Sequence, residues 1–251
     1  MNITPVDSSV SVFEDVRPGA APEAALLDLQ REVIACDRCP RLRAWCTQVA
    51  SARRRAFRDW EYWGKPIPSF GDPRARLLIV GLAPAAHGAN RTGRIFTGDR
   101  SGDFLFRVLH ETGFASQPFS RAPDDGLEVR DVWITAAVRC APPQNKPRWE
   151  EFRNCRPFLV SELELLTNLK VIVTLGRLAF DTCLRALAER GASLAPGKLE
   201  FGHDREHRLA GAPLLISSYH PSQQNTQTGR LTQSMLRRVF LRARRHLGDG
   251  A

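Results

Sequence analysis

The stretch Leu77-Leu78-Ile79-Val80-Gly81-Leu82 is apolar without interruption and is halted by Ala83-Pro84. A half-buried strand alternates apolar with polar residues. A run that does not alternate belongs to a strand covered on both faces. Three more short runs read the same way: Val132-Trp133-Ile134-Thr135-Ala136-Ala137-Val138, Val171–Leu175 and Leu214–Ser218. Helical periodicities lie between and around them. One runs over 104–112 and closes at Gly113. Another runs over 147–168 through Phe152, Cys155, Leu159, Leu163 and Leu166. Others cover 177–190, the basic stretch 231–247, and an upstream stripe of Ala25, Leu26, Leu29, Val33 and Ile34. Short buried strands alternating with helices predict an α/β fold. The expected form is a three-layer αβα sandwich around a central four-stranded, mainly parallel sheet. Chemistry in such sheets sits beyond the C-terminal ends of the strands. That singles out the loops 83–102 and 220–230.

The chain has 251 residues, 43% hydrophobic and 25% charged, which suits one folded domain and excludes wholesale disorder. Residues 1–22 are polar and carry Pro5, Pro18 and Pro22, so they read as a flexible N-terminal arm before a single domain over 23–251. No apolar run approaches the roughly 18–20 residues of a membrane span. The first residues lack the basic and apolar regions of a secretory signal. A cytoplasmic monomer with no membrane partner is the expectation. The net charge is +9, and only four of the 36 basic residues are lysine. Guanidinium groups bind phosphate in a bidentate manner and stack on bases, so the balance points to a polyanionic partner, nucleic acid above all.

Six cysteines in a reducing compartment favour metal ligation or burial over disulfides. Cys36-Asp37-Arg38-Cys39 puts two thiols on one turn. Cys140 follows the second strand, and Cys155 lies on the next helix. Four such thiolates suit a tetrahedral zinc or an iron–sulfur cluster, and the wide gap between Cys140 and Cys155 leans toward the bulkier cluster. Cys183, within an apolar helix, and Cys46, with no partner at ligand spacing, read as plain buried thiols.

The loop after the first strand reads Gly81-Leu-Ala-Pro-Ala-Ala-His-Gly-Ala-Asn-Arg-Thr-Gly-Arg94. It matches neither a dinucleotide fingerprint nor a P-loop. Its small residues let backbone amides approach a ligand, and His87, Asn90, Arg91 and Arg94 add polar reach. Phe96 supplies a ring, and Asp99 or Ser101 a helix cap. After the fourth strand, Ser218-Tyr219-His220-Pro221-Ser222 brings a histidine toward the same edge. Arg53-Arg54-Arg55, with Phe57 and Trp60 nearby, forms a separate basic and aromatic segment.

Four blocks together resemble the uracil-DNA glycosylase superfamily, specifically its family 5. They are C-D-R-C at 36–39, G-L-A-P-A-A-H-G-A-N-R-T-G-R-I-F-T-G-D at 81–99, V-R-C-A-P-P-Q-N-K-P at 138–147 with the later Cys155-Arg-Pro-Phe, and H-P-S-Q-Q-N at 220–225. The resemblance implies an αβα sandwich, a [4Fe–4S] cluster on Cys36, Cys39, Cys140 and Cys155, and excision of bases from DNA. His220 falls at the family's catalytic histidine and Phe96 at the ring that stacks on a flipped base. Asn145 lies in a matching block.

On that footing Asn90 is expected to position water and His220 to stabilise the departing base, with Asn145 holding base or water. Gly81, Ala83, Pro84, His87, Phe96 and Ala136 are expected to shape the base pocket. Arg91, Arg94, Ser222 and Arg230 are expected to meet phosphates. The first motif opens with no polar side chain, and Ala136 stands where uracil-strict relatives carry asparagine. The expected substrates are therefore uracil and other deaminated bases such as hypoxanthine and xanthine in DNA. The competing readings are a non-catalytic iron–sulfur or zinc module that binds nucleic acid, and an α/β hydrolase of free nucleotides.

Overall fold

A computed structural model describes residues 22–193 and 199–248. The expected arm 1–22 lies outside the described residues except for Pro22, which opens the first helix. Two short 3-10 helices lie at Arg55–Phe57 and Pro143–Asn145, and among the described residues eight α-helices and six strands follow one another. They are α1 (Pro22–Ala35), α2 (Pro40–Ala52), β1 (Phe70–Gly71), β2 (Leu77–Gly81), α3 (Ala89–Thr92), α4 (Arg100–Glu111), β3 (Val132–Ala136), α5 (Trp149–Leu165), β4 (Val171–Leu175), α6 (Arg177–Glu189), β5 (Arg205–His207), β6 (Leu214–Ser218), α7 (Gln223–Gln227) and α8 (Gln233–Leu247). No helix among the described residues is long and apolar enough to cross a membrane.

The sheet has the order β1-β3-β2-β4-β6-β5. Its four central strands, β3, β2, β4 and β6, are parallel and coincide with the four apolar runs. The expected four-stranded sheet is corrected to six. β1 and β5 add antiparallel edges. Two-residue β1 is too short to leave a pattern, and β5 is Arg-Glu-His, with no apolar alternation. Both edges are short and β5 is charged, features that deter pairing with other chains.

The central strands sort their side chains strictly by parity, as the pleat requires. Leu77, Ile79, Val132, Ile134, Val171, Val173 and Ile216 face a core shared with Leu105, Phe106 and Leu109 of α4 and Leu236, Val239 and Phe240 of α8. Leu78, Val80, Trp133, Ile172 and Leu215 face the opposite core, shared with Leu159 and Leu163 of α5 and Phe180, Cys183 and Leu187 of α6. Two faces, each with its own helices, make the three-layer sandwich. Cys183 is buried in that second core, as its apolar context implies.

One polar knot lies inside. Arg139 and Glu162 are both fully buried and pair at 2.6 Å through Nη2 and Oε2. Glu162 also accepts from Thr135 Oγ1 at 2.7 Å, from Trp133 Nε1 at 3.2 Å and from the Ser69 hydroxyl. Gln30 of α1 accepts from the Ser69 backbone N–H at 2.6 Å. The knot joins α1, β3 and α5 just before Cys140. Removing one partner of a buried ion pair leaves an uncompensated charge, at a cost of about 3–5 kcal/mol. Glu162→Ala is expected to lower unfolding free energy by that amount in urea titration. A loss below about 1 kcal/mol would show that the network is dispensable.

Candidate active site

The loop from 81 to 102 folds back on itself at the C-terminal edge of the sheet, and three glycines permit it. A Cβ on Gly81 would lie 2.7 Å from the Phe96 ring. One on Gly88 would lie 2.2 Å from Asp99 Oδ2, and one on Gly102 would lie 1.9 Å from the Phe96 carbonyl oxygen. Phe96 itself sits in the left-handed region at φ 52°, a conformation that persists only where surroundings enforce it. Its ring is buried over Gly81 and faces His220, with centroids 6.2 Å apart and planes 31° apart. The two predicted loops therefore do meet.

His220 extends from the end of β6 and is held by its own loop. Asn225 Nδ2 donates to the His220 carbonyl at 2.9 Å, and Ser222 caps α7 by accepting from Asn225 N. Burial pulls the His220 imidazole down to about 4, so it is neutral at physiological pH. Beside it is a cavity of about 240 Å³ lined by Leu82, Gly176, Tyr219, His220 and Arg230. The Arg230 guanidinium lies over the Tyr219 ring at 4.7 Å and is exposed, available to an anion as expected.

A larger cavity of about 560 Å³ adjoins the glycine-rich loop. Its lining includes Ala85, His87, Gly88, Asp99, Asn145 and Gln223. Asn145 stands at φ 57° next to Gln144 at φ 55°, a tight turn that carries its amide to this rim. His87 Nδ1 meets the Tyr62 hydroxyl at 3.1 Å, and burial lowers its pKa as well. Asp99 is the functional candidate that the sequence reading took only for a cap. It does cap α4, accepting from Gly102 N at 3.0 Å. The same carboxylate also lines the cavity, and burial raises its pKa. Its place beside Gly88 depends on the fold of the loop, which motif spacing does not reveal.

Several expected roles are corrected. Asn90 is fully buried, and its Nδ2 donates to the Cys46 and Ala86 carbonyls at 3.3 and 3.4 Å. That is a brace for the loop, not a water site in the cavity. Arg94 is buried and spent on Asp125 at 2.7 Å, Ser120 at 2.8 Å and Thr97 at 3.0 Å, so it does not meet phosphate. Arg91 is only 4% exposed, bonded to the His87 and Gly98 carbonyls and packed against both Phe57 and Trp60 at 4.0 and 4.1 Å, yet it lines the larger cavity and its Nη1 has no hydrogen-bond partner. Ala136 is buried in the core with Phe96, paired in register with Gly81, and lines neither cavity. Gly81, Ala83, Pro84 and Phe96 also line neither cavity, and of the expected pocket residues only His87 does; Phe96 meets the smaller cavity only through its contact with His220.

Cys39, Cys140 and Cys155 share one buried cluster with Cys46, Leu42 and Phe152, while Cys36 packs beside Phe158. Cys39, Cys140 and Cys155 lie within electrostatic reach of one another, and Cys36 within reach of Cys39. Burial raises Cys39 and pushes Cys155 up to about 12. The adjoining Cys46 thiol and burial raise Cys140. Asn154 Nδ2 donates to Cys39 Sγ at 3.5 Å. Among the described residues no three Cys, His, Asp or Glu side chains are gathered as ligands of a metal ion. Cys46 is buried, as expected, and its thiol donates to the Ala141 carbonyl at 3.6 Å.

The family model described as "Uracil DNA glycosylase superfamily" matches residues 68–244. The chain is 51% identical over 214 residues to the type-5 uracil-DNA glycosylase of Thermus thermophilus, covering 85% of this chain and 94% of that one. It is 47% identical over 230 residues to that of Mycobacterium tuberculosis, covering 91% and 84%. For the Pyrobaculum aerophilum type-5 enzyme the figures are 46% over 216 residues, 86% and 91%. A type-4 enzyme from Sulfurisphaera tokodaii is more distant, at 26% over 201 residues, 79% and 74%. The chain belongs to the uracil-DNA glycosylase superfamily, in its type-5 branch.

The depressed His220 pKa has a direct consequence. An unfolded histidine titrates near 6.5. Between there and about 4 the unfolded chain binds a proton that the folded one refuses. Stability from this site is thus complete above pH 6.5 and lost as pH falls toward 4. An NMR titration is expected to show His220 ring shifts flat from pH 8 to 5.5. A midpoint near 6.5 would contradict the burial.

Proposed function

We propose that the protein is a DNA base-excision glycosylase that hydrolyses the N-glycosidic bond of uracil, and of other deaminated bases, leaving an abasic site. The observation that carries the reading is the neutral His220 imidazole facing the Phe96 ring where the loops after β2 and β6 meet.

The reaction breaks the bond between the sugar C1′ and the base nitrogen. The electron pair leaves with the base, water adds to C1′ through its oxygen, and the proton the water loses is passed through solvent to the departed base. A base inside a duplex must first be flipped out, at a few kcal/mol. Stacking on Phe96 recovers about 1–3 kcal/mol. A neutral imidazole N–H donates to a carbonyl oxygen of the departing base and stabilises the anion without surrendering a proton. The Asp99 carboxylate, in the cavity that Asn145 shares, holds the attacking water and faces the cationic sugar. Asn145 completes the water's hydrogen bonds.

The breadth of bases rests on the end of β3. Thr135 is the one polar side chain among 135–137, and its hydroxyl is spent on Glu162 on the far side of the sheet. No side chain there imposes a donor–acceptor pattern, and a site built on shape and stacking rejects analogues weakly.

A [4Fe–4S] cluster on Cys36, Cys39, Cys140 and Cys155 belongs to this proposal. The donor set would be all sulfur, which suits an iron–sulfur cluster, with Cys39, Cys140 and Cys155 buried in one cluster and Cys36 partly buried beside it. Bound there, the cluster supplies a cross-link between the α1–α2 turn, the exit of β3 and α5.

A panel of duplexes carrying uracil, hypoxanthine or xanthine, cleaved at abasic sites after single-turnover incubation, tests the activity. Uracil is expected to be released, and the purines as well. Release of uracil alone would refute the breadth, and release of nothing would refute the enzyme. His220→Ala is expected to slow release about 10²–10³-fold, with a much smaller loss of DNA affinity. The purified protein should absorb broadly near 400 nm, and Cys140→Ser should bleach it while Cys183→Ser does not. Stoichiometric zinc without iron would overturn the cluster.

A further inference from the structure

The basic and aromatic segment 53–60 takes no part in the chemistry above, yet it forms one wall of the larger cavity. Arg54, Phe57 and Trp60 all line it, with Arg100 and Arg121 also at its rim. The segment holds Arg53, Arg54, Arg55 and Arg58 against a single acid, Asp59. All four arginines are exposed. Arg58 approaches Asp59 at 3.8 Å, between two highly exposed groups, and such a contact contributes little. Arg54 and Arg55 have no carboxylate within ion-pair distance among the described residues. Like charges gathered this closely repel one another, so the cluster is unfavourable unless an anion joins it.

The segment is also held in place. The buried Arg91 guanidinium is packed against both Phe57 and Trp60, so the glycine-rich loop grips it from beneath. The Arg54 backbone N–H donates to the Tyr62 hydroxyl at 3.4 Å, and that hydroxyl meets His87 in the cavity. Trp60 keeps 37% of its surface open. Pre-ordered cations lose less freedom on binding than cations on a mobile tail.

We infer that residues 53–60 are a phosphate clamp, in which Arg54 and Arg55 pair with backbone phosphates of the DNA strand whose base enters the cavity. The inference rests on the glycosylase reading of the neighbouring site. The partner is a phosphodiester strand because Arg54 stands exposed and without a carboxylate at the edge of a cavity sized for a nucleotide, with Arg55 exposed next to it in sequence. The bonds are made to phosphate, so the clamp is blind to sequence and to the lesion.

The test is binding of the full-length protein to two duplexes of one sequence, measured by fluorescence anisotropy from 50 to 300 mM KCl. One duplex is undamaged, and the other carries a tetrahydrofuran abasic site. Each lost phosphate contact removes about 0.9 from the slope of log K against log salt. The Arg54→Ala/Arg55→Ala double variant is expected to flatten the slope by about 2 and to weaken both duplexes by the same factor. Arg54→Lys/Arg55→Lys, which keeps the charge, should restore most of the slope. An unchanged slope in the alanine variant would overturn the clamp, as would a loss confined to the lesion duplex. Failure of the wild-type protein to release uracil from DNA would overturn the glycosylase reading instead, so the two failures are told apart.

Discussion

The site depends on three absent Cβ atoms. Gly81 leaves room for the Phe96 ring, Gly88 for the Asp99 carboxylate and Gly102 for the Phe96 carbonyl. With side chains at these positions, the eighteen-residue connection between β2 and α4 has no way to lie on the sheet edge in this form. Its closed shape is what sets Phe96 opposite His220 and turns a helix cap into a cavity carboxylate. The strained φ of Phe96 is sustained by the same packing: Gly102 against its backbone and Gly81 against its ring.

Desolvation then sets the charges. It lowers the pKa of His220 and of His87, and it pushes Asp99 toward its protonated form, against the hydrogen bonds from Gly102 and Ser101 N–H that hold it as a carboxylate. A neutral donor for the leaving base and a carboxylate for water and sugar are what cleavage of a glycosidic bond asks of a protein. Neither needs a strong base. The buried Arg139–Glu162 knot braces the strand end from the other side, where it meets the residues that lead to Cys140. Positive charge is divided by burial. Arg94 is spent inside the loop and Arg91 is buried at the larger cavity, while Arg230 and the arginines of 53–60 are exposed.

The fold was largely legible. Unbroken apolar runs betray strands with two covered faces, and Leu77 to Val80 divide between the two cores by parity, as that reading requires. The edge strands were not legible, because two residues and an Arg-Glu-His triplet carry no hydrophobic period. The approach of Phe96 to His220 was legible, because the topology of a parallel sheet brings its C-terminal loops together. The roles of Asn90, Arg91 and Arg94 were not. Polar type suggests a surface or ligand role, but all three side chains are buried and bonded to backbone carbonyls or to Asp125, with only Asn90 Oδ1 and Arg91 Nη1 among their buried polar atoms left without a partner. Asp99 was hidden for the opposite reason: its capping role explains it locally, and only the closed loop adds a second one.

Single-turnover release of free uracil from a uracil-containing duplex, compared between the wild-type protein and Gly81→Ala, tests the central claim most directly. One added methyl pushes on Phe96 and touches no group that reacts. Complete release by the wild type, with release slowed about tenfold or more in a folded variant, is the predicted result. Equal rates in the two proteins would contradict the placement of the base on Phe96, and no release by the wild type would contradict the glycosylase itself.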